Sequence, residues 1–382
     1  MNKTAEIVIV GGGISGCAIA YELAKAGMKN IVVIEKKYLT SGATGRCGAG
    51  IRMQWGTELN CKLSKYALNR FETLNDELEY EFDIELNEGG YLMIAATDHE
   101  MEQFKKNVAL ENSLGIPSKM VDVKECLEIV PHLAPEHIVG GSYCGKDGHL
   151  NPFHTTQAYA NAAERLGVTF LKNTSVTGID VENGKIKGVH TDKDYIATNK
   201  VVNCAGAWSQ EISKMVGVPI DVYSQRHQIL VTEPVAHMQD PMVMGFAHNI
   251  YSQQVPQGRF VRGRSDNGEP MDGRMTSSWQ FLDEMSKTLC KLMPVFKNIS
   301  IVRQWAGMYN MTPDRQPIYG TVDEVEGYYL AVGFSGHGFM FGPVTGKLMS
   351  ECILGKEYTI DISALSYDRF AKGNLFVEPS VV

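Results

Sequence analysis

Apolar residues along this chain alternate between two periods. Ala5-Glu6-Ile7-Val8-Ile9-Val10 has strand character and passes straight into a stretch from Ile14 to Ala26, where Ile14, Cys17, Ala18, Tyr21, Leu23 and Ala24 recur at helical spacing. Asn30-Ile31-Val32-Val33-Ile34 then predicts a second strand. A longer, more polar helix is expected from about 58 to 81, a strand at 89–95, and helices at 98–115 and 122–129, the latter stopped by Pro131. Asn151-Pro152 opens a helix running to Leu166, followed by a strand at 168–171 and a hairpin around Glu182-Asn183-Gly184. Lys200 to Trp208 reads as a buried strand ending in a small-residue turn and a helix start. Period-two segments such as 228–232 and 259–262 mark residues 217–306 as mostly antiparallel sheet, with one helix at 278–293. Tyr328 to Val332 is a last strand, entering Gly333-Phe334-Ser335-Gly336-His337-Gly338-Phe339, and a helix follows over about 343–354.

Two glycine-rich strand-to-helix junctions, more than 300 residues apart, fit one parallel sheet rebuilt from distant segments. The predicted fold class is α/β with an α+β second domain. The nucleotide-binding domain takes residues 1–85, 147–216 and 323–382, and a mostly antiparallel substrate domain takes 86–146 and 217–322.

Composition narrows the classes. A chain of 382 residues with 44% hydrophobic and 21% charged residues is an ordinary globular protein of two-domain size. A net charge of −8 without a basic block argues against nucleic acid as a partner. Eight scattered cysteines without a C-x-x-C pair argue against a metal site and against a disulfide framework, and fit a reducing cytoplasm. The first strand begins within about five residues of Met1, leaving no room for a signal peptide. No stretch approaches the roughly 20 apolar residues that cross a bilayer, so a cytoplasmic chain without a membrane span is expected.

Gly11-Gly12-Gly13-Ile14-Ser15-Gly16 fits G-x-G-x-x-G between a strand and a helix. Gly11 suits the tight turn, Gly13 the approach of backbone N–H groups to a pyrophosphate, and Gly16 the packing of helix on strand. The helix N-terminus adds partial positive charge for the phosphates. Glu35 closes the second strand, placed to accept hydrogen bonds from an adenosine ribose and to repel a 2′-phosphate, which disfavours NADP. The residues alone leave NAD or FAD open.

Four further segments carry a resemblance: Arg46 to Arg52, Asn203 to Trp208, Trp305 to Asp314, and Gly333 to Phe339. Nearly the whole chain resembles the FAD-dependent amine and amino-acid oxidoreductases of the D-amino-acid oxidase and sarcosine oxidase group. It is most similar to the β subunits of dye-linked proline dehydrogenase and heterotetrameric sarcosine oxidase. The resemblance implies a Rossmann-like FAD-binding domain, with Gly11, Gly13, Ile14, Ser15, Gly16, Glu35, Lys36, Ser41, Thr44, Gly206, Trp208 and Gly307 at the cofactor. It also places the turn Gly336, His337, Gly338, Phe339 and Met340 at the pyrimidine end of the flavin, where backbone N–H groups stabilise developing negative charge. Arg52 matches an arginine that pairs with a substrate carboxylate, a task suited to the guanidinium fork. Tyr309 matches an active-site tyrosine, and His227 is a candidate proton acceptor or orienting group.

Departures from the group refine these expectations. Gly307 stands where members with covalent flavin carry cysteine, so FAD should be noncovalent. Met340 replaces a lysine that helps hold the carboxylate in monomeric sarcosine oxidase, which weakens sarcosine and favours an L-proline-like substrate. Arg259 to Arg264 contains no lysine for oxygen activation, which favours a dehydrogenase over an oxidase. The resemblance further implies an α subunit, an electron acceptor, and FMN between subunits, held noncovalently because Pro152 aligns with the FMN-linked histidine. Sarcosine, glycine, hydroxyproline and opine-type N-alkylated amino acids stay open as substrates, as do an NAD-linked dehydrogenase and a flavoprotein subunit that only carries electrons.

Overall fold

The computed structural model describes residues 3–264, 268, 269, 271 and 273–379. Its first sheet runs Ile318–Thr321, Tyr328–Val332, Val201–Asn203, Ile7–Val10, Ile31–Ile34, Thr169–Leu171 in spatial order. The last five strands are mutually parallel, and Ile318–Thr321 joins the edge antiparallel. All four residues of Ile7–Val10 and of Ile31–Ile34 are buried, as expected of strands covered on both faces. Ile7 and Ile9 point into a core shared with the helices Ile14–Lys25, Glu58–Glu77, Pro152–Arg165 and Gly342–Ile353. Val8 and Val10 point the other way, into a core capped by a four-stranded sheet that contributes Ile179, Val189 and Ile196. The hairpin in that sheet turns at Asn183 and Gly184, both with positive φ, the geometry expected of the Asn-Gly pair.

The second sheet has eight strands, in the order Ile301–Met311, Tyr223–Thr232, Phe260–Arg264, Ile250–Gln254, Met242–Gly245, Tyr91–Ala95, Gly140–Cys144, Ser118–Val121. Every neighbouring pair is antiparallel except Met242–Gly245 with Tyr91–Ala95. Period-two alternation divides its side chains cleanly. Leu92, Ile94, Val243, Leu230 and Phe260 meet the helix Trp279–Leu292 through Phe281, Met285 and Leu289. Tyr91, Met93, Met242 and Met244 lie on the opposite face, where Tyr91, Met242 and Met244 look towards the turn at Gly336.

Several boundaries differ from expectation for visible reasons. The helix from Glu58 ends at Glu77, because Glu79 takes φ +45° and turns Tyr80 back into the core. The helix from Asp98 ends at Ser113, before Gly115 at φ +71°. The strand Ile318–Thr321 falls in the sequence assigned to the substrate portion, yet pairs in the parallel sheet, because the turn at 322–327 folds it back onto Tyr328–Val332. The last helix begins at Gly342, so His337 to Phe341 forms a separate turn closed by Phe341 N–H to the His337 carbonyl at 3.2 Å.

Candidate active site

Three parallel strands, Ile7–Val10, Val201–Asn203 and Tyr328–Val332, all end in glycine-containing turns at the same sheet edge. Ligands of open parallel sheets bind at that edge. A groove of about 360 Å³ lies there, floored by the turns and roofed by the second sheet. Gly11 takes φ +120°, and a Cβ on it would sit 2.4 Å from the Cys204 carbonyl oxygen. Gly16 packs so closely that a Cβ would lie 2.0 Å from the Gly11 oxygen, which is why this residue supports the turn from beneath and does not line the groove. Gly13 caps the helix Ile14–Lys25 with no side chain, leaving the helix start open towards the groove, where Ser15 also lies. The Ile14 N–H donates to Thr44 Oγ1 at 3.2 Å, which fastens the loop 40–48 over the helix start.

The Glu35 carboxylate accepts from the Gly12 N–H at 2.9 Å, the Lys37 N–H at 2.8 Å and the Ser41 hydroxyl at 3.1 Å. It is thereby fixed in orientation, with lone pairs left for a ribose. Lys36 Nζ sits 3.0 Å over the Trp208 ring, and both line the same end of the groove with Gly206. At the other end lie Gly307, Tyr309, His227, Gly336, Gly338 and Phe339. His227 and Tyr309 stack with ring centroids 3.5 Å apart and planes at 15°. Burial, with a contribution from Cys47, pushes the Tyr309 phenol up to about 12, so it stays protonated as a donor. Gly336 takes φ +96°, and a Cβ there would meet the Tyr309 ring at 2.5 Å. Asn310 anchors this turn: its Oδ1 accepts the Gly333 N–H at 2.7 Å and its carbonyl accepts the Ser335 N–H at 2.9 Å.

A second cavity of about 80 Å³ adjoins this end, and Tyr251, Tyr309, Gly336 and Phe339 line both. Arg52 lines its depth, buried, with the guanidinium carbon 3.8 Å from the Trp55 ring centroid. Tyr91, Met242 and Met244 form the sheet wall, and His337 and Met340 belong to this cavity, not to the larger groove. The His337 backbone N–H donates to the Phe334 carbonyl at 2.8 Å, and its ring meets Trp55 edge-on at 4.7 Å. Burial, reinforced by the Arg52 and Arg315 charges, holds its imidazole down to about 3, so it is neutral.

Behind Arg52 is Asp147, fully buried. It accepts from the Met53 N–H at 2.8 Å and Gln54 Nε2 at 3.0 Å. Burial drives its carboxyl up to about 7 against those hydrogen bonds and the Arg52 charge.

Sequence reasoning gave no site role to Arg46 and Cys47, although their segment carries the resemblance, nor to Tyr251 and the two methionines. Arg46 lines the groove and ties the loop to the second sheet through the Ala306 carbonyl at 3.1 Å. Its place beside the Cys47-Gly48-Ala49-Gly50 run was a usable signal, whereas Tyr251 and Met242 sit in ordinary strands whose facing only the tertiary fold decides. Among the described residues no cluster of His, Cys, Asp and Glu is arranged to hold a metal, and no helix is long and apolar enough to cross a membrane.

Residues 6–352 match the family described as FAD dependent oxidoreductase. The chain belongs to that family. It is accordingly an FAD-dependent oxidoreductase, and the groove fits the cofactor: glycines where any Cβ would collide, an open helix start, and a fixed acid at the end of the second parallel strand. The sarcosine oxidase subunit beta of Rhodobacter capsulatus is 30% identical over 385 residues, covering 100% of this chain and 92% of that protein. The crystal structure of L-proline dehydrogenase from P. horikoshii superposes with a TM-score of 0.92 at 37% identity, covering 98% of this chain and 100% of that one. Human mitochondrial dimethylglycine dehydrogenase is 28% identical over 96% of this chain, which spans only 44% of that protein.

Proposed function

We propose that this protein oxidises the C–N bond of a small amino or imino acid, L-proline-like or N-alkylated, by hydride transfer to noncovalently bound FAD. The observation that carries the reading is a buried arginine at the base of a small cavity that opens onto the flavin groove. A cavity of about 80 Å³ admits a molecule the size of a few waters, and a guanidinium fork selects a carboxylate. The substrate class is therefore a compact carboxylic acid with its amine near the groove.

Gly11, Gly13, Ser15 and Glu35 would hold the adenosine and phosphate half, and the turn from Gly336 to Phe339 the ring half. Bound FAD supplies the hydride acceptor. Arg52 binds and orients the carboxylate. Tyr309, protonated and braced by the His227 stack, donates a hydrogen bond at the junction of the two cavities. Tyr91, Met242, Met244 and Phe339 exclude water from the reacting carbon. Neutral His337 adds no competing positive charge beside Arg52.

The similarity to a sarcosine oxidase subunit beta supports an assembly with a further subunit; on this proposal that partner is an α subunit that takes electrons onward, with FMN at the interface. The decisive experiment is an anaerobic screen of proline, hydroxyproline, sarcosine, glycine and opine-type amino acids, following loss of flavin absorbance on the purified chain. Bleaching by proline or an N-alkyl amino acid is expected. An unbleached flavin with every compound would leave a subunit that only carries electrons.

A further inference from the structure

The segment that carries Arg52 is pinned from two sides, and the outer side is held by a residue 326 positions away in sequence. On the inner side, Asp147 takes the Met53 N–H and the Gln54 side chain. On the outer side, Glu378 accepts the Gly56 N–H at 2.7 Å on one carboxylate oxygen, and the Thr57 hydroxyl at 2.5 Å and Asn60 Nδ2 at 3.0 Å on the other. Glu378 is 2% exposed and Asn60 is fully buried, so the bond between them is made away from water, while Gly56 and Thr57 are half-buried. Thr57 is the N-cap of the helix Glu58–Glu77, yet its own side chain makes no capping bond. Among the described residues, the Glu378 carboxylate accepts no N–H of the first turn; it holds the Thr57 hydroxyl and the Asn60 side chain instead, and lies at the end of the helix where the macrodipole favours negative charge. Pro379 seals the contact, since a Cβ on Gly56 would lie 2.4 Å from its ring.

We propose that Glu378 is a positioning residue for substrate binding, acting through the start of this helix on Trp55 and Arg52. The proposal rests on the reading of Arg52 as the carboxylate anchor. The mechanical path is short. Gly56 follows Trp55, whose ring lies under the Arg52 guanidinium and whose Nε1 donates to the Arg52 carbonyl at 3.3 Å. Trp55 also meets His337 on the turn that reaches the flavin groove. Fixing Gly56 and Thr57 therefore fixes the platform on which the guanidinium rests. Removing the carboxylate leaves the Gly56 N–H and the buried Asn60 amide without their acceptor, and the segment regains freedom to seek others.

The test uses the full FAD-loaded chain with three readouts: the dissociation constant of acetate from its perturbation of the flavin spectrum, amide hydrogen exchange over residues 50–60, and the dissociation constant of FAD. Glu378→Ala should weaken acetate by at least ~10-fold and speed exchange at Met53 to Thr57, while FAD affinity stays within about two-fold. Glu378→Gln keeps one acceptor for the Gly56 N–H and should fall between; it also serves if the alanine variant does not fold. Faster exchange with unchanged acetate affinity would reduce Glu378 to a structural anchor of the helix start and overturn the proposal, and so would unchanged exchange. Acetate binding absent from the wild-type chain would sink the carboxylate-site reading and the role of Glu378 with it. Acetate binding untouched by Glu378→Ala would sink only the latter.

Discussion

Arg52 is surrounded by groups that fix its place: an indole beneath it, a neutral imidazole beside it and a buried acid behind the next two residues. Because a charged, two-pronged contact contributes a few kcal/mol, Arg52→Ala should raise the apparent substrate constant at least ~10-fold. Arg52→Lys should recover only part, since ammonium lacks the planar fork. Steady-state kinetics on the substrate found by the anaerobic screen decides this; an unchanged constant removes Arg52 from the site. The sulfur-rich wall sets size. Met242 already presses on Gly50, where a Cβ would lie 2.6 Å from its sulfur, and Tyr91 Oη contacts the Met244 sulfur at 3.9 Å. Met244→Ala should therefore shift the ratio of kcat/KM for a six-membered-ring analogue over the five-membered ring upwards by about 10-fold, roughly the effect of one or two methylenes in a pocket. Arg52 was legible because arginine in its motif has a distinctive chemistry. Met242 and Met244 were not, because a methionine in a strand is usually core and nothing local says which face looks into a cavity.

Turns, more than helices or strands, carry the site. Gly336 combines a left-handed backbone with a close approach to Tyr309, so Gly336→Ala meets both a strained φ and a clash at 2.5 Å. The expected outcome is FAD affinity weakened at least ~10-fold with the far-ultraviolet circular dichroism unchanged, read by fluorescence titration of the apoprotein; tight FAD binding by that variant would detach this turn from the cofactor. The elements themselves followed from pattern, since the buried runs 7–10 and 31–34 and the helix between them are long enough to show their periods. Element ends moved where one residue took an unusual conformation. Glu79 at φ +45° is such a case, and no side-chain chemistry at that residue announces it.

Across the molecule, burial of ionisable groups near the substrate cavity couples stability to pH. The Asp147 carboxyl rises to about 7 in the fold from an unfolded value near 3.9, so the folded state holds its proton more tightly. Its contribution is complete below the unfolded value and is lost as pH rises through the folded one. Urea unfolding between pH 4 and 7 should therefore show the wild-type chain losing stability relative to Asp147→Asn, by at most about 1.4 kcal/mol per pH unit. The comparison with the variant matters. His337 and His149, held down to about 3 and about 4 by burial, act in the opposite direction over part of that range. Parallel pH profiles for the two proteins would show that Asp147 does not titrate with folding.

The sequence by itself determined the dinucleotide-binding motif and the two kinds of sheet. Hydrophobic period and glycine placement are local properties, and a glycine turn between a strand and a helix has the same geometry wherever the rest of the chain goes. It could not determine which side chains meet across the groove. Ile318–Thr321 joined the parallel sheet because of a turn near its end, and the His337 ring packs edge-on against Trp55, beside Arg52. Glu378 holds Gly56 and Thr57, just before a helix whose start lies 320 residues earlier. Such contacts depend on packing between segments with no local relation, so only the tertiary structure decides them.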